Sequence, residues 1–147
     1  MPVITGLTVV VTTSTVQNAD CDGRFQLQVA KAGSDELLDF KSQHSHDQLE
    51  RGRTDQYFFD LTGLSMGAVD TGDAGFQVLM RALDSDFWLP SSIFVLGHAE
   101  GGALGGGVLV GFYPQWAEAG GWFSRDASET STPPGAPQHV ISGAAPS

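Results

Sequence analysis

A chain of 147 residues with 41% hydrophobic and 16% charged side chains is long enough for one domain with a sizeable core and too short for two ordinary ones. Seventeen Asp and Glu against seven Lys and Arg leave a formal charge of −10, which opposes unaided binding to nucleic acid or anionic lipid because both need local positive potential. The single cysteine, Cys21, excludes an intrachain disulfide framework and a zinc ribbon.

No apolar run approaches the roughly 18 residues of a membrane-spanning helix. The N-terminus lacks the basic start and unbroken apolar stretch of a secretory signal, so the expectation is a soluble chain. In chain order, residues 7–13 (LTVVVTT) are β-branched, and residues 25–29 alternate, with Phe25, Leu27 and Val29 inward and Gln26 and Gln28 outward. Residues 47–55 are charged and pivot on Gly52, an exposed connection that leads into a strand over 56–61. There Tyr57, Phe59 and Leu61 share one face and Gln56, Phe58 and Asp60 the other. A Gly- and Asp-containing bridge at 63–75 precedes a strand at 76–81, which puts Phe76, Val78 and Met80 on one face.

Residues 93–96, 108–112 and 138–141 are further runs of strand length. The glycines at 101–107 lack the Lys-Ser/Thr and following helix of a phosphate loop and read as a hairpin connection. Short strands between Gly, Asp, Ser and Pro turns, without a segment of helical period, predict an antiparallel β-sandwich of one domain, 1–142. Residues 143–147 form an expected flexible tail.

The β-branched first strand, NADCDGRFQLQV, LLDF, HDQLERGRTDQYFFDL and DSDFWLPSSIFV resemble, in order and spacing, the PLAT family of polycystin, lipoxygenase and alpha-toxin domains. The resemblance covers 7–95. The Glu50–Asp55 step (ERGRTD) before an aromatic strand is its most specific part, followed by Asp86 to Pro90, and GGWFSRD at 120–126 is similar to the closing segment of some bacterial members. It implies an all-β sandwich of two four-stranded sheets. It also implies a calcium site at one end, held by Asn18, Asp20 and Asp22, by Asp39 and Asp47, and by Asp86 with the Phe87 carbonyl. Calcium takes six to eight oxygens at about 2.3–2.6 Å, which suits clustered carboxylates. The chain departs from the family with Asn18 in place of an aspartate and Phe40 in place of an amide side chain, and both changes weaken the ligand set.

The same Asp and Asn residues also suit ordinary turns, since Asp20 and Asp22 beside Gly23 can close Asx-turns without an ion. Glu50, Arg51, Arg53 and Asp55 read equally well as a solvated ion-pair cluster. Phe87 and Trp88 lie in a loop that the family places at the ligand end, where one is expected to be buried and the other to meet a membrane or partner. His44 and His46 share a face if extended but have no third ligand nearby, and His98 and Glu100 have no obvious partner.

The chain has no nucleophile elbow and no His-Glu-x-x-His helix, and Asp20 and Asp22 disfavour a reactive Cys21 thiolate, so no enzyme is expected. The leading expectation is a non-catalytic module that recognises a lipid surface or protein partner through its loop end. Two others stand beside it: an assembly protein packing with itself or a larger complex, and a carbohydrate binder using Trp116 and Trp122.

Overall fold

The computed structural model describes residues 3–15, 25–31, 34–40, 52–61, 69–73, 75–82, 88–99, 107–116, 123 and 138–144. Their strands are β1 (Val3–Thr13), β2 (Phe25–Lys31), β3 (Ser34–Asp39), β4 (Thr54–Asp60), β5 (Val69–Asp70), β6 (Gln77–Ala82), β7 (Pro90–Ala99), β8 (Gly107–Tyr113), β9 (Gln138–Val140) and β10 (Gly143–Ala144). One sheet runs β10-β8-β7-β1-β4 with β5 also on β1, and the other runs β3-β2-β6-β9. Without the two-residue strands β5 and β10, this is the expected sandwich of two four-stranded sheets.

Alternation decides which side chains meet between the sheets. Leu7, Val9 and Val11 of β1, Phe25, Leu27 and Val29 of β2, Tyr57 and Phe59 of β4, and Val78 and Met80 of β6 form one continuous core. Phe76 packs against that core from just before β6. Strand β1 changes phase once. Ile4 pairs with Ala99 and Gly6 with His98, so Thr5 is an extra residue, and both Ile4 and Leu7 point inward although three positions apart.

Three strands escape the sequence reading. Strand β3 pairs with β2 from Lys31↔Ser34 to Gln26↔Asp39, yet its acidic residues Asp35, Glu36 and Asp39 break the hydrophobic alternation. Such charge is common on an edge strand, where it discourages pairing with other chains. Strands β5 and β10 are too short to show a period. Strand β10 carries regular pairing beyond Ser142, where the domain was expected to end: Gly143 and Ala144 lie parallel to Gly111 and Phe112 of β8. As expected of a hairpin connection, β7 and β8 are antiparallel neighbours.

Gly111 is where the chain leading into this last strand crosses β8. A Cβ there would collide with the Ile141 carbonyl and stand 3.0 Å from Val95 Cγ2. Gly6 differs, because a Cβ there meets the edge of the Phe58 ring at 3.1 Å, and a surface ring can move. Gly111→Ala is expected to lose about 1–3 kcal/mol in urea unfolding, as overpacked sites do, and Gly6→Ala distinctly less.

Tyr57 supplies a second test of the core. Burial, and next the neighbouring Asp55 carboxylate, push its hydroxyl well above the ordinary value of 10.0, with Arg53 opposing weakly. The unfolded tyrosine therefore ionises first, so the stability present below pH 10 falls as pH climbs above it. Tyr113, whose hydroxyl donates to the Ser142 carbonyl at 2.8 Å, is also pushed up by burial and adds to the fall. Chemical denaturation across this range is expected to show a shallower alkaline loss in Tyr57→Phe than in the wild type.

Candidate functional site: the loop end of the sandwich

Strand β1 runs out at Thr13, and the register places Thr12 opposite Thr54 at the start of β4 and Thr13 opposite Pro90 at the start of β7. In the other sheet Phe25, which opens β2, lies opposite Ala82, which closes β6, and Gln26 lies opposite Asp39, which closes β3. Trp88 joins the two sets: its ring is 5.2 Å from that of Phe25, and its Nε1–H donates to Thr13 Oγ1 at 2.9 Å. Residues 14–24, 40–53 and 83–89 are therefore each tethered at both ends to one end of the sandwich.

These are the three segments that carry the expected ligands. Asn18, Asp20 and Asp22 fall between β1 and β2, Asp47 between β3 and β4, and Asp86 and Phe87 between β6 and β7; all six lie outside the described residues. Asp39 is the last residue of β3, and its side chain also lies outside them. So do Cys21, His44, His46, Glu50, Arg51, Glu100 and Trp122.

The described residues form the base of this end. Gly52, at φ 72°, takes the left-handed conformation that glycine adopts at little cost. Its N–H donates to the Thr13 carbonyl at 2.9 Å, and the Thr13 N–H donates to the Arg53 carbonyl at 2.9 Å. This pair of bonds fixes the Gly52–Arg53 step beside the end of β1. Asp55 faces inward and is 3% exposed, with Arg53 Nε at 3.6 Å from Oδ1, so this pair is not wholly a solvated surface pair. The Ser14 N–H donates to the Leu89 carbonyl at 3.0 Å. Thr13, Ser14 and Asp55 are thus buried polar residues at this end, of which the sequence reading singles out Asp55 alone. The available signal was a β-branched run ending in TTST.

Aromatic rings close the sandwich below these groups. Trp88 and Phe123 exchange backbone hydrogen bonds of 2.9 and 2.8 Å, and Phe123 stacks on Trp116 at 5.7 Å and 23°. Trp88 is 0% exposed, which removes it as a membrane or partner contact and makes it the buried member of the Phe87–Trp88 pair. An indole that pairs its N–H with a buried hydroxyl is more stable inside than at the surface. Trp116 is 2% exposed among Tyr113, Phe123 and His139, so the sugar-stacking platform with Trp122 is lost.

Phe40 is a core residue, at 4.8 and 5.0 Å from the Tyr57 and Phe59 rings, which gives an apolar side chain a structural reason to stand there. His98 does have a partner, sharing a hydrogen bond of 2.7 Å with Thr8 Oγ1 on the outer face of the larger sheet. Among the described residues no three His, Cys, Asp or Glu side chains gather around one point, so an ion at this end depends on the segments above the base.

No family model matches the chain, and no curated protein matches it. Solved structures do. The alpha-toxin of Clostridium absonum superposes with TM-score 0.61 at 16% identity, over 95% of this chain and 32% of the toxin. The Clostridium perfringens alpha-toxin from an avian strain gives 0.62 at 15%, over 95% of this chain and 31% of the toxin. A coral 8R-lipoxygenase, described as activated by calcium via a C2-like domain, gives 0.55 at 14%, over 93% of this chain and 16% of the enzyme. The chain thus spans about a third of each toxin and a sixth of the lipoxygenase. At such identities the likeness concerns architecture, and in architecture this chain is a PLAT-like β-sandwich.

Proposed function

We propose that the chain is a non-catalytic binding module whose loop end docks on a lipid surface or a protein partner, with calcium held among its acidic loops. The observation that carries this reading is the attachment of both ends of 14–24, 40–53 and 83–89 to one end of the sandwich. Asn18, Asp20, Asp22, Asp39, Asp47, Asp86 and the Phe87 carbonyl form an all-oxygen donor set of the kind calcium requires. The calcium activation described for the C2-like domain of the coral lipoxygenase, which shares the fold, supports the same direction.

Bound calcium would supply positive charge where a protein of net charge −10 has little, and would bridge the loops to an anionic group. The protein's own part is to hold the loop bases still. Thr13 fixes the Gly52–Arg53 step and the Trp88 indole, and the buried Asp55 side chain stands beside Arg53. With Trp88 buried, Phe87 is the member of that pair left to provide apolar contact in this reading.

Calorimetric titration of chelator-treated protein with calcium tests the reading. Saturable binding is expected in the wild type, with a dissociation constant no weaker than the roughly 10⁻⁴–10⁻³ M of extracellular calcium modules, and is expected to disappear in Asp86→Ala. Phosphatidylserine vesicles should then sediment the wild type with calcium and release it with chelator. Absence of both heat and thermal shift at millimolar calcium would leave the acidic segments as turns.

A further inference from the structure

The outer face of the larger sheet has a composition unlike the rest of the molecule. Register places Gln56, Val10, Phe94 and Phe112 in one row across β4, β1, β7 and β8, and Phe58, Thr8, Leu96 and Leu109 in the next. Phe58 is 54% exposed, Leu109 57%, Phe112 43% and Leu96 39%, and the four lie together on this one face. The Phe94 and Phe112 rings stand 5.6 Å apart, while Phe58 lies over Gly6 and 5.8 Å from His98. Fixed aromatic and aliphatic side chains that share a flat face and project into water mark an interaction surface.

We infer that this face binds a second copy of the chain in a two-fold, sheet-on-sheet dimer, a surface separate from the loop end proposed above. Charge favours this occupant. Of the 17 acidic residues, Asp60 and Asp70 are the carboxylates among the described side chains that point outward from this sheet, and neither lies in the two rows, so two copies can meet without opposing carboxylates at the centre. A basic partner would find little here to recognise. A bilayer is also a poor occupant, because side chains on a flat sheet reach only a few ångströms and Gln56, Thr12, Thr54 and Asp60 would be drawn in with them.

The rows are self-complementary. An axis between Thr8 and Leu96 places Leu109 of one copy over Phe58 of the other, and Phe58 over Leu109. Side chains of facing sheets interdigitate across about 10 Å. Four strands of about seven residues give a footprint of roughly 450 Å² per copy. Two copies then bury on the order of 1,000 Å² in all, the lower bound for a specific interface, so the dimer is weak and concentration-dependent.

Sedimentation velocity in chelator, from about 5 to about 500 µM, tests this, since interfaces of this size associate weakly. Chelator removes calcium-dependent association, so the outcome is independent of the calcium titration. The wild type is expected to pass from monomer to dimer as concentration rises. Leu109→Lys and Phe58→Lys should each weaken dimerisation at least about tenfold, as loss of a central apolar contact does. Leu37→Lys, at a 48% exposed position of β3 on the other sheet, should leave it unchanged. Wild-type protein that stays monomeric at the highest concentration overturns the inference, as do equal losses in all three variants or growth beyond the dimer. The substituted residues are half in solvent, and circular dichroism confirms that each variant is folded.

Discussion

Thr13 is where the two sheets and the loop end are joined. Its amide donates to Arg53, its carbonyl accepts from Gly52, and its hydroxyl accepts from the Trp88 indole. All of these groups are buried or border the buried end, where a polar atom left without a partner costs about 1–3 kcal/mol. A valine at 13 would keep the volume and lose the hydroxyl, leaving the indole N–H of a fully buried Trp88 unpaired. Placement of Trp88 then sets much else, since Phe25, Phe123 and, through Phe123, Trp116 are packed around its ring.

The rest of the sandwich is hung on the strand that Thr13 ends. Strand β1 pairs with β7 along almost its whole length on one edge and with β4 and then β5 on the other. Its Leu7, Val9 and Val11 are fully buried, so a one-residue slip would turn three core side chains outward. The extra residue Thr5 is tolerated because it lies near the far end, where its carbonyl accepts the Leu61 N–H and its hydroxyl reaches the His98 carbonyl at 3.4 Å. A second shift lies at the loop end, where Thr12 pairs with Ser92 and Thr13 with Pro90, and there the extra residue, Ser91, belongs to β7 and leaves the phase of β1 unchanged.

These relations explain what was legible in the chain. The buried faces of β2 and β4 are plain from period-2 alternation, because Phe25, Leu27 and Val29 alternate with Gln26, Gln28 and Ala30, and Tyr57 and Phe59 with Gln56, an outward Phe58 and Asp60. Strand β3 was hidden because an acidic edge strand carries no such alternation, and β10 because two residues have no period. Trp88 could be allotted to surface or interior only by its partner, and Thr13 lies 75 residues away. The resemblance to the PLAT family supplied what periodicity cannot, namely which three segments share an end. It could not supply the buried Asp55–Tyr57 neighbourhood or the burial of Phe40, which depend on side chains meeting across the core.

The distribution of charge over this frame separates two kinds of surface. Expected ligand residues at the loop end are acidic and depend on a cation to attract anything anionic, so interactions there should vary with divalent ions and with salt. The outer face of β8-β7-β1-β4 is nearly neutral and apolar, and association through it should resist salt and weaken with cooling, as hydrophobic contacts do. Both surfaces share β1, which ends beneath the loops at Thr13 and presents Thr8 and Val10 on the outer face. Because a paired, packed strand moves as a unit, a copy seated on that face would stiffen the base on which the loops stand without touching them.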